Sequence, residues 1–293
     1  MAAPEPVIKK TVGERLQSVS RQTLYLVLIL CATIPQFFKL SVPGETLKAT
    51  RDFYDAVMAL KEGETVLIET DWTKSTRGES SGMFEALVKI LMRKKVKFVL
   101  YGIDSQSPTV AGDTVRRLNE LEKADYVLGR DYVNAGYFPN AEGLNQALGT
   151  DMRKAFESRI SGGSKIIDSP VLKNYRKVED FPLLVIVTAS SSFNVAIERL
   201  NTKVKMVAMV TGVMVPESTV FYASNQIKGL SGGLKGVYDL ETMMEAEPAF
   251  KGMANVGKGM GYYPTLHVVL TLMIIAVVLG NVGMFLARRR SSS

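Results

Sequence analysis

One cysteine (Cys31) and one histidine (His267) are all that the 293 residues hold of these two types. A lone cysteine permits no internal disulfide and no thiolate metal cluster. A lone histidine at the start of an apolar C-terminal run leaves the rest of the chain without a Ser-His-Asp triad or a histidine-based zinc site. Phosphate-loop spacing is missing too. GLSGGLKG (229–236) is not Gly-x4-Gly-Lys-Ser/Thr, and GKGMG (257–261) follows no strand pattern. No cofactor and no metal are expected. The formal net charge is +7, but much of the excess flanks the apolar ends, so nucleic acid is not an expected partner.

Charge is also missing from two long stretches. Residues 22–38 and 259–287 contain no Asp, Glu, Lys or Arg. A membrane span needs about 20 apolar residues. The sequence therefore predicts a first transmembrane helix over 22–40 and a second over 262–287. Residues 1–21 form an N-terminal tail and 288–293 a basic C-terminal tail. A cleaved signal peptide is the alternative for the first stretch, but bulky QFFKL follows it where small residues would mark a cleavage site. Two spans put both termini on one side. Lys9, Lys10, Arg15, Arg21 and Arg288–Arg290 outside the middle region count seven, against five for Lys39, Lys48, Arg51, Lys251 and Lys258. The positive-inside rule then places the termini in the cytoplasm and the middle region outside it.

Residues 43–258 are long enough for one domain with its own core. Apolar runs at TVLIE (65–69), VKFVLYG (96–102), 125–128, LLVIVT (183–188) and VKMVAMV (204–210) read as strands. Helical periodicity lies between them, at 46–60, 80–93, 109–123, 141–156 and 191–200. Strands alternating with helices predict an α/β three-layer sandwich with a mainly parallel, five-stranded Rossmann-like sheet, flanked by the two spans.

In such a sheet ligands bind beyond the C-terminal ends of the strands. Asp71, Thr73 and Ser75 follow the first strand. Asp104 follows the second, Arg130 and Asp131 the third, and Ser190, Ser191 and Ser192 the fourth, so the fold predicts that they share one rim. Asp71-Trp72-Thr73-Lys74-Ser75 resembles the Asp-x-Ser-x-Ser metal-adhesion motif of von Willebrand A domains. It departs in Thr73, in the cationic Lys74, and in the lack of an aspartate in LLVIVTASS (183–191). A turn before the next helix, capped by Ser80 or Ser81, is the simpler expectation. The Ser190–Ser192 hydroxyls are ordinary helix caps or an anion site at a helix N-terminus.

Glycines point to assembly. Gly229, Gly232, Gly233 and Gly236 have helical spacing and would line one face of a helix near 226–247. Glycine inside a helix costs about 1 kcal/mol relative to alanine, and close approach of another backbone is the usual return. In the second apolar stretch Ala276, Gly280, Asn281 and Gly283 form a small-residue face with a polar glue residue.

The segments RDYVNAGYFPNAEGL (130–144) and ASNQIKGLSGGLKGVYDLE (223–241) make the chain resemble an uncharacterised family of bacterial membrane proteins with a span at each end and an α/β domain between. The resemblance implies that layout and a bacterial inner membrane, and no reaction. The expected function is a homo-oligomeric membrane scaffold, with the lipid bilayer and another membrane protein as expected partners. The alternative is a membrane-tethered enzyme or an anion- or metal-ligand-binding domain using the sheet rim. The enzyme question stays open, leaning towards none.

Overall fold

The computed structural model describes residues 12–38 and 40–291. Lys9, Lys10 and Lys39 of the charge count, with the rest of 1–11 and 292–293, lie outside the described residues. The chain divides into two units, Pro43–Met260 and the two terminal segments taken together.

In the terminal unit, α1 (Val12–Gln17) and α2 (Arg21–Thr33) precede a 3-10 turn, Ile34–Phe37. Ser20 caps α2 by accepting the Thr23 N–H at 3.1 Å. Pro35 ends it, since proline has no N–H to donate to a carbonyl of the preceding turn. The first predicted span is therefore not one long helix. Thirteen residues rise only about 20 Å, short of the roughly 30 Å bilayer core.

The other unit is the α/β domain. Its elements run α3 (Lys48–Met58), β1 (Thr65–Asp71), α4 (Arg77–Arg93), β2 (Lys97–Gly102), α5 (Ser107–Glu122), β3 (Tyr132–Tyr137), α6 (Ala141–Phe156), the short hairpin β4 (Ile160–Ser161) and β5 (Ser164–Lys165), β6 (Leu184–Thr188), α7 (Phe193–Leu200), β7 (Met206–Val210), α8 (Val215–Ala223), β8 (Leu230–Gly232) and α9 (Gly233–Ala246). The last helix, α10 (Lys258–Ser291), begins in this unit and continues in the terminal one. Among the described residues α10 alone is long and apolar enough to cross a membrane, so one candidate span replaces the predicted two.

The main sheet has six strands in the order β3-β2-β1-β6-β7-β8, every neighbouring pair parallel. The prediction of a three-layer, mainly parallel sheet stands, with one strand more. Every residue of β1 and β6 is buried, because helices cover both faces. Val66 and Ile68 enter one core with α3, α4, α5 and α9. Leu67 enters the other with α6 and α7. Strand alternation puts Glu69 and Asp71 on the Leu67 face.

Two strands differ from expectation. β3 lies at 132–137, not 125–128, where the chain turns instead, with Asp125 at φ 56° and Gly129 at φ 90°. The Asn119 side chain binds both the N–H (2.8 Å) and the carbonyl (2.9 Å) of Tyr126 and fixes that turn. β8 occupies part of the predicted glycine-rich helix, which starts only at Gly233.

Candidate functional site

The chain runs outward from β1 through β2 to β3, then returns to place β6 on the other side of β1. The C-terminal ends of β1 and β6 thus mark the topological switch point of the sheet, the place where open α/β sheets bind ligands. Register pairs Asp71 with Thr188 across that junction. The Thr188 hydroxyl donates to Asp71 Oδ2 at 3.1 Å, and the Ser192 hydroxyl donates to the same oxygen. Ser190 Oγ lies 3.1 Å from Ser192 Oγ, and the Ser190 N–H donates to Thr188 Oγ1 at 3.0 Å. Asp71, Ser190 and Ser192 therefore meet, joined by Thr188. Ser191 is exposed at the start of the following turn.

The loops beside this cluster are tied to each other. The Thr73 and Ser75 hydroxyls bond to each other. The Lys74 N–H reaches Gln106 Oε1 at 3.3 Å, linking the loops that follow β1 and β2. Asp104 Oδ1 accepts the N–H groups of Gln106 (2.8 Å) and Ser107 (3.2 Å), so this carboxylate caps the start of α5. α4 starts at Arg77, ahead of the predicted serine caps. Ser81 lies inside it and donates to the Arg77 carbonyl at 2.7 Å.

Arg130 is not part of the site. It precedes β3, and parallel strands all begin at the same edge, so it lies at the opposite, N-terminal edge of the sheet. There its Nε donates to Asp131 Oδ2 (2.8 Å) and its Nη2 to the Asp125 carbonyl (2.7 Å). It lines a cavity of about 300 Å³ with Glu62, Gly63, Lys95, Lys97 and Asp125.

The chemistry of the rim is acidic. Burial raises the Asp71 carboxyl above its ordinary value, the hydroxyls of Ser192, Thr188 and Ser190 pull it back, and the Asp104 charge raises it further. An anion is a poor fit beside two carboxyl groups. Three amides around the start of α7 are also taken within the chain: Ser192 N–H by Ser190 Oγ (3.2 Å), Asn194 N–H by the Ser191 carbonyl (3.1 Å) and Val195 N–H by the Ser192 carbonyl (3.2 Å). Among the described residues, no three His, Cys, Asp or Glu side chains gather as a metal site. A ligand that presents hydroxyl or ammonium donors suits this arrangement.

Glu69 was not among the expected residues. It is fully buried two residues before Asp71, and its Oε2 accepts the Tyr101 hydroxyl at 3.2 Å. The clue in the sequence was an acidic residue closing the apolar run TVLI.

The glycines expected at an oligomer interface are buried in the chain's own packing. A Cβ on Gly229 would sit 2.4 Å from the Phe53 backbone of α3. One on Gly232 would meet Val215 at 2.4 Å, and one on Gly236 would meet Ser231 at 2.5 Å. Gly233 turns the chain from β8 into α9 at φ 57°, against Gly212. The close approach these residues allow is therefore intramolecular. In α10, Gly283 lies against Gly13 of α1, whose Cβ would come within 3.0 Å of the Gly283 carbonyl oxygen. Ala276, Gly280 and Asn281 are exposed, and among the described residues nothing lies within 4 Å of the Gly280 Cβ position.

GKGMG (257–261), though no phosphate loop, receives a carboxyl group of the same chain. Glu241 on α9, itself buried, accepts the N–H groups of Gly257 (3.1 Å), Gly259 (3.0 Å) and Met260 (2.7 Å) with its carboxylate. Comparison of the chain with family models, curated proteins and solved structures finds no match.

Proposed function

We propose that this chain is a membrane-anchored α/β domain that binds a small neutral or cationic polar ligand at the β1/β6 switch point. The observation that carries this is the convergence of the Thr188 and Ser192 hydroxyls on one Asp71 carboxylate oxygen at the switch point of the sheet, where α/β folds bind ligands. α10 supplies the anchor, and Arg288–Arg290 behind it favour a cytoplasmic C-terminus. Binding without turnover is the simpler role, since the rim offers a hydroxyl and a carboxylate but no imidazole.

The test is thermal unfolding of the full chain in detergent, followed by the fluorescence of Trp72, the only tryptophan and a buried one. A panel of sugars, nucleosides and amines is screened against the protein and its Asp71→Asn variant. A true ligand at a hundredfold excess over Kd should raise Tm by roughly 5–10 °C, and the shift should vanish in the variant. No shift from any compound, or one that persists in Asp71→Asn, rejects the site.

Assembly is the second reading, favoured by the exposed Ala276, Gly280 and Asn281 on an apolar helix. An asparagine amide facing lipid gains from a partner helix. Gly280→Leu should convert a discrete oligomer in detergent into a monomer. An unchanged mass removes this face from any interface. Gly233→Leu would not serve, because it would disrupt the domain itself.

A further inference from the structure

We infer that the switch-point site stores a proton on Glu69, and that positive charge arriving beside Asp71 displaces it. The displacement rests on the ligand reading above and narrows the ligand to a cationic group; the stored proton does not depend on that reading.

The inference starts from placement. Glu69 and Asp71 lie two residues apart on the same strand face, roughly 6–7 Å along the strand. Glu69 is fully buried, and among the described residues its Oε1 has no hydrogen-bond partner. Its other oxygen has one neutral donor, the Tyr101 hydroxyl. A buried carboxylate with one neutral donor and a second acid as neighbour takes up a proton instead of remaining charged.

Among the described residues, no cation acts on Glu69. From β2 comes Tyr101, whose phenol is itself pushed well up by burial, then by Glu69. From β6 the register partner is Ile186. None of the buried residues of α6 and α7 is charged, and Asn145 is the one polar side chain among them. Asp71, with Asp104 beyond it, supplies only negative charge. Burial first, then Asp71, lift the Glu69 carboxyl to about 8, with the Tyr101 hydrogen bond pulling the other way.

Charge balance gives the coupling its direction. With Glu69 protonated and Asp71 ionised, the pair carries one negative charge. A bound monocation would neutralise it. If the Glu69 proton then leaves to solvent, the pair plus cation again carries one negative charge. Cation and proton thus compete for the same field.

The test needs no ligand. Infrared spectra of the full chain in detergent, with carbon-13 label in glutamate, are recorded across pH. A protonated-carboxyl band should persist at pH 7 and be missing in Glu69→Gln, which distinguishes it from any signal of buried Glu241. Ser192→Lys tethers an ammonium beside Asp71 and serves as the cationic probe. It should lower the pH at which the band disappears by about one unit or more. Tyr101→Phe removes only the donor to Glu69 and should move the midpoint upward, a readout that remains if Ser192→Lys fails to fold. Absence of a Glu69 band at pH 7 overturns the stored proton. An unmoved midpoint in a folded Ser192→Lys overturns the displacement. A failed ligand screen with a normal infrared titration would count against the proposed ligand site alone.

Discussion

Replacing Gly229 with alanine is expected to cost the α/β domain about 3 kcal/mol, the upper end of what overpacking usually does. The added Cβ would lie 2.4 Å from both Cα and N of Phe53. Those are backbone atoms in the middle of α3, and the Phe53 side chain is fully buried, so no flexible end can swing aside. Either α3 lifts from the sheet or β8 moves away from β7. The second route strains the bond from Ala208 N–H to the Gly229 carbonyl (3.0 Å) and the one from the Thr50 hydroxyl to the Leu230 carbonyl (3.3 Å). Urea unfolding followed by Trp72 fluorescence measures the loss. Gly78→Ala is the control. Gly78 lies in the first turn of α4 with nothing within 4 Å, and alanine there should be neutral or gain a few tenths of a kcal/mol. Equal midpoints for the two variants would mean that α3 does not pack on β8 as described.

Gly229 also shows where the sequence could be read and where it could not. β1, β2, β6 and β7 announce themselves as near-continuous Val, Ile and Leu runs, because strands covered on both faces have no polar side to interrupt them. β3 and β8 lie at the two ends of the strand order. Their sequences, YVNAGY and LSG, carry little of that signal. Spacing of three or four residues between glycines suggested a helical face. Here it reflects a short strand against α3, a left-handed turn at Gly233 and one helical turn after it. Glycine spacing records close approach but does not say whether the approaching backbone belongs to the same chain.

The site inherits these successes and failures. Asp71 and Ser190–Ser192 each follow a legible strand, so their meeting at the rim followed from the topology. Arg130 was placed with them only because the third strand was put at 125–128; moving β3 to 132–137 moves Arg130 to the opposite edge of the sheet. Glu69 was hidden for another reason. Its role depends on which face of β1 it occupies and on Tyr101 lying across from it, and periodicity alone does not supply that pairing. At the N-terminal end, hydropathy could not register the effect of Pro35, which divides an apolar stretch into a short helix and a 3-10 turn.

Glu241→Ala is expected to free the last segment of the domain. It would leave the N–H groups of Gly257, Gly259 and Met260 without their acceptor, and a lost bond to a buried charged group costs about 1–3 kcal/mol. With water entering in part, a local loss of about 3 kcal/mol follows, or roughly hundredfold faster hydrogen exchange at those amides. The pH dependence can be signed. Burial raises the Glu241 carboxyl above its ordinary value of 4.5, and the three amides with the Lys89 charge only partly offset this. The native state therefore holds the proton more tightly than the unfolded chain does. Its stabilising contribution is complete below pH 4.5, declines as pH rises through the raised value, and is constant above it. Glu241→Gln removes that titration while keeping the shape, so the stability difference between wild type and Gln variant should fall with rising pH over that window. The opposite slope would mean that the amide bonds outweigh burial, and that the carboxylate is held by GKGM as firmly as a bound anion.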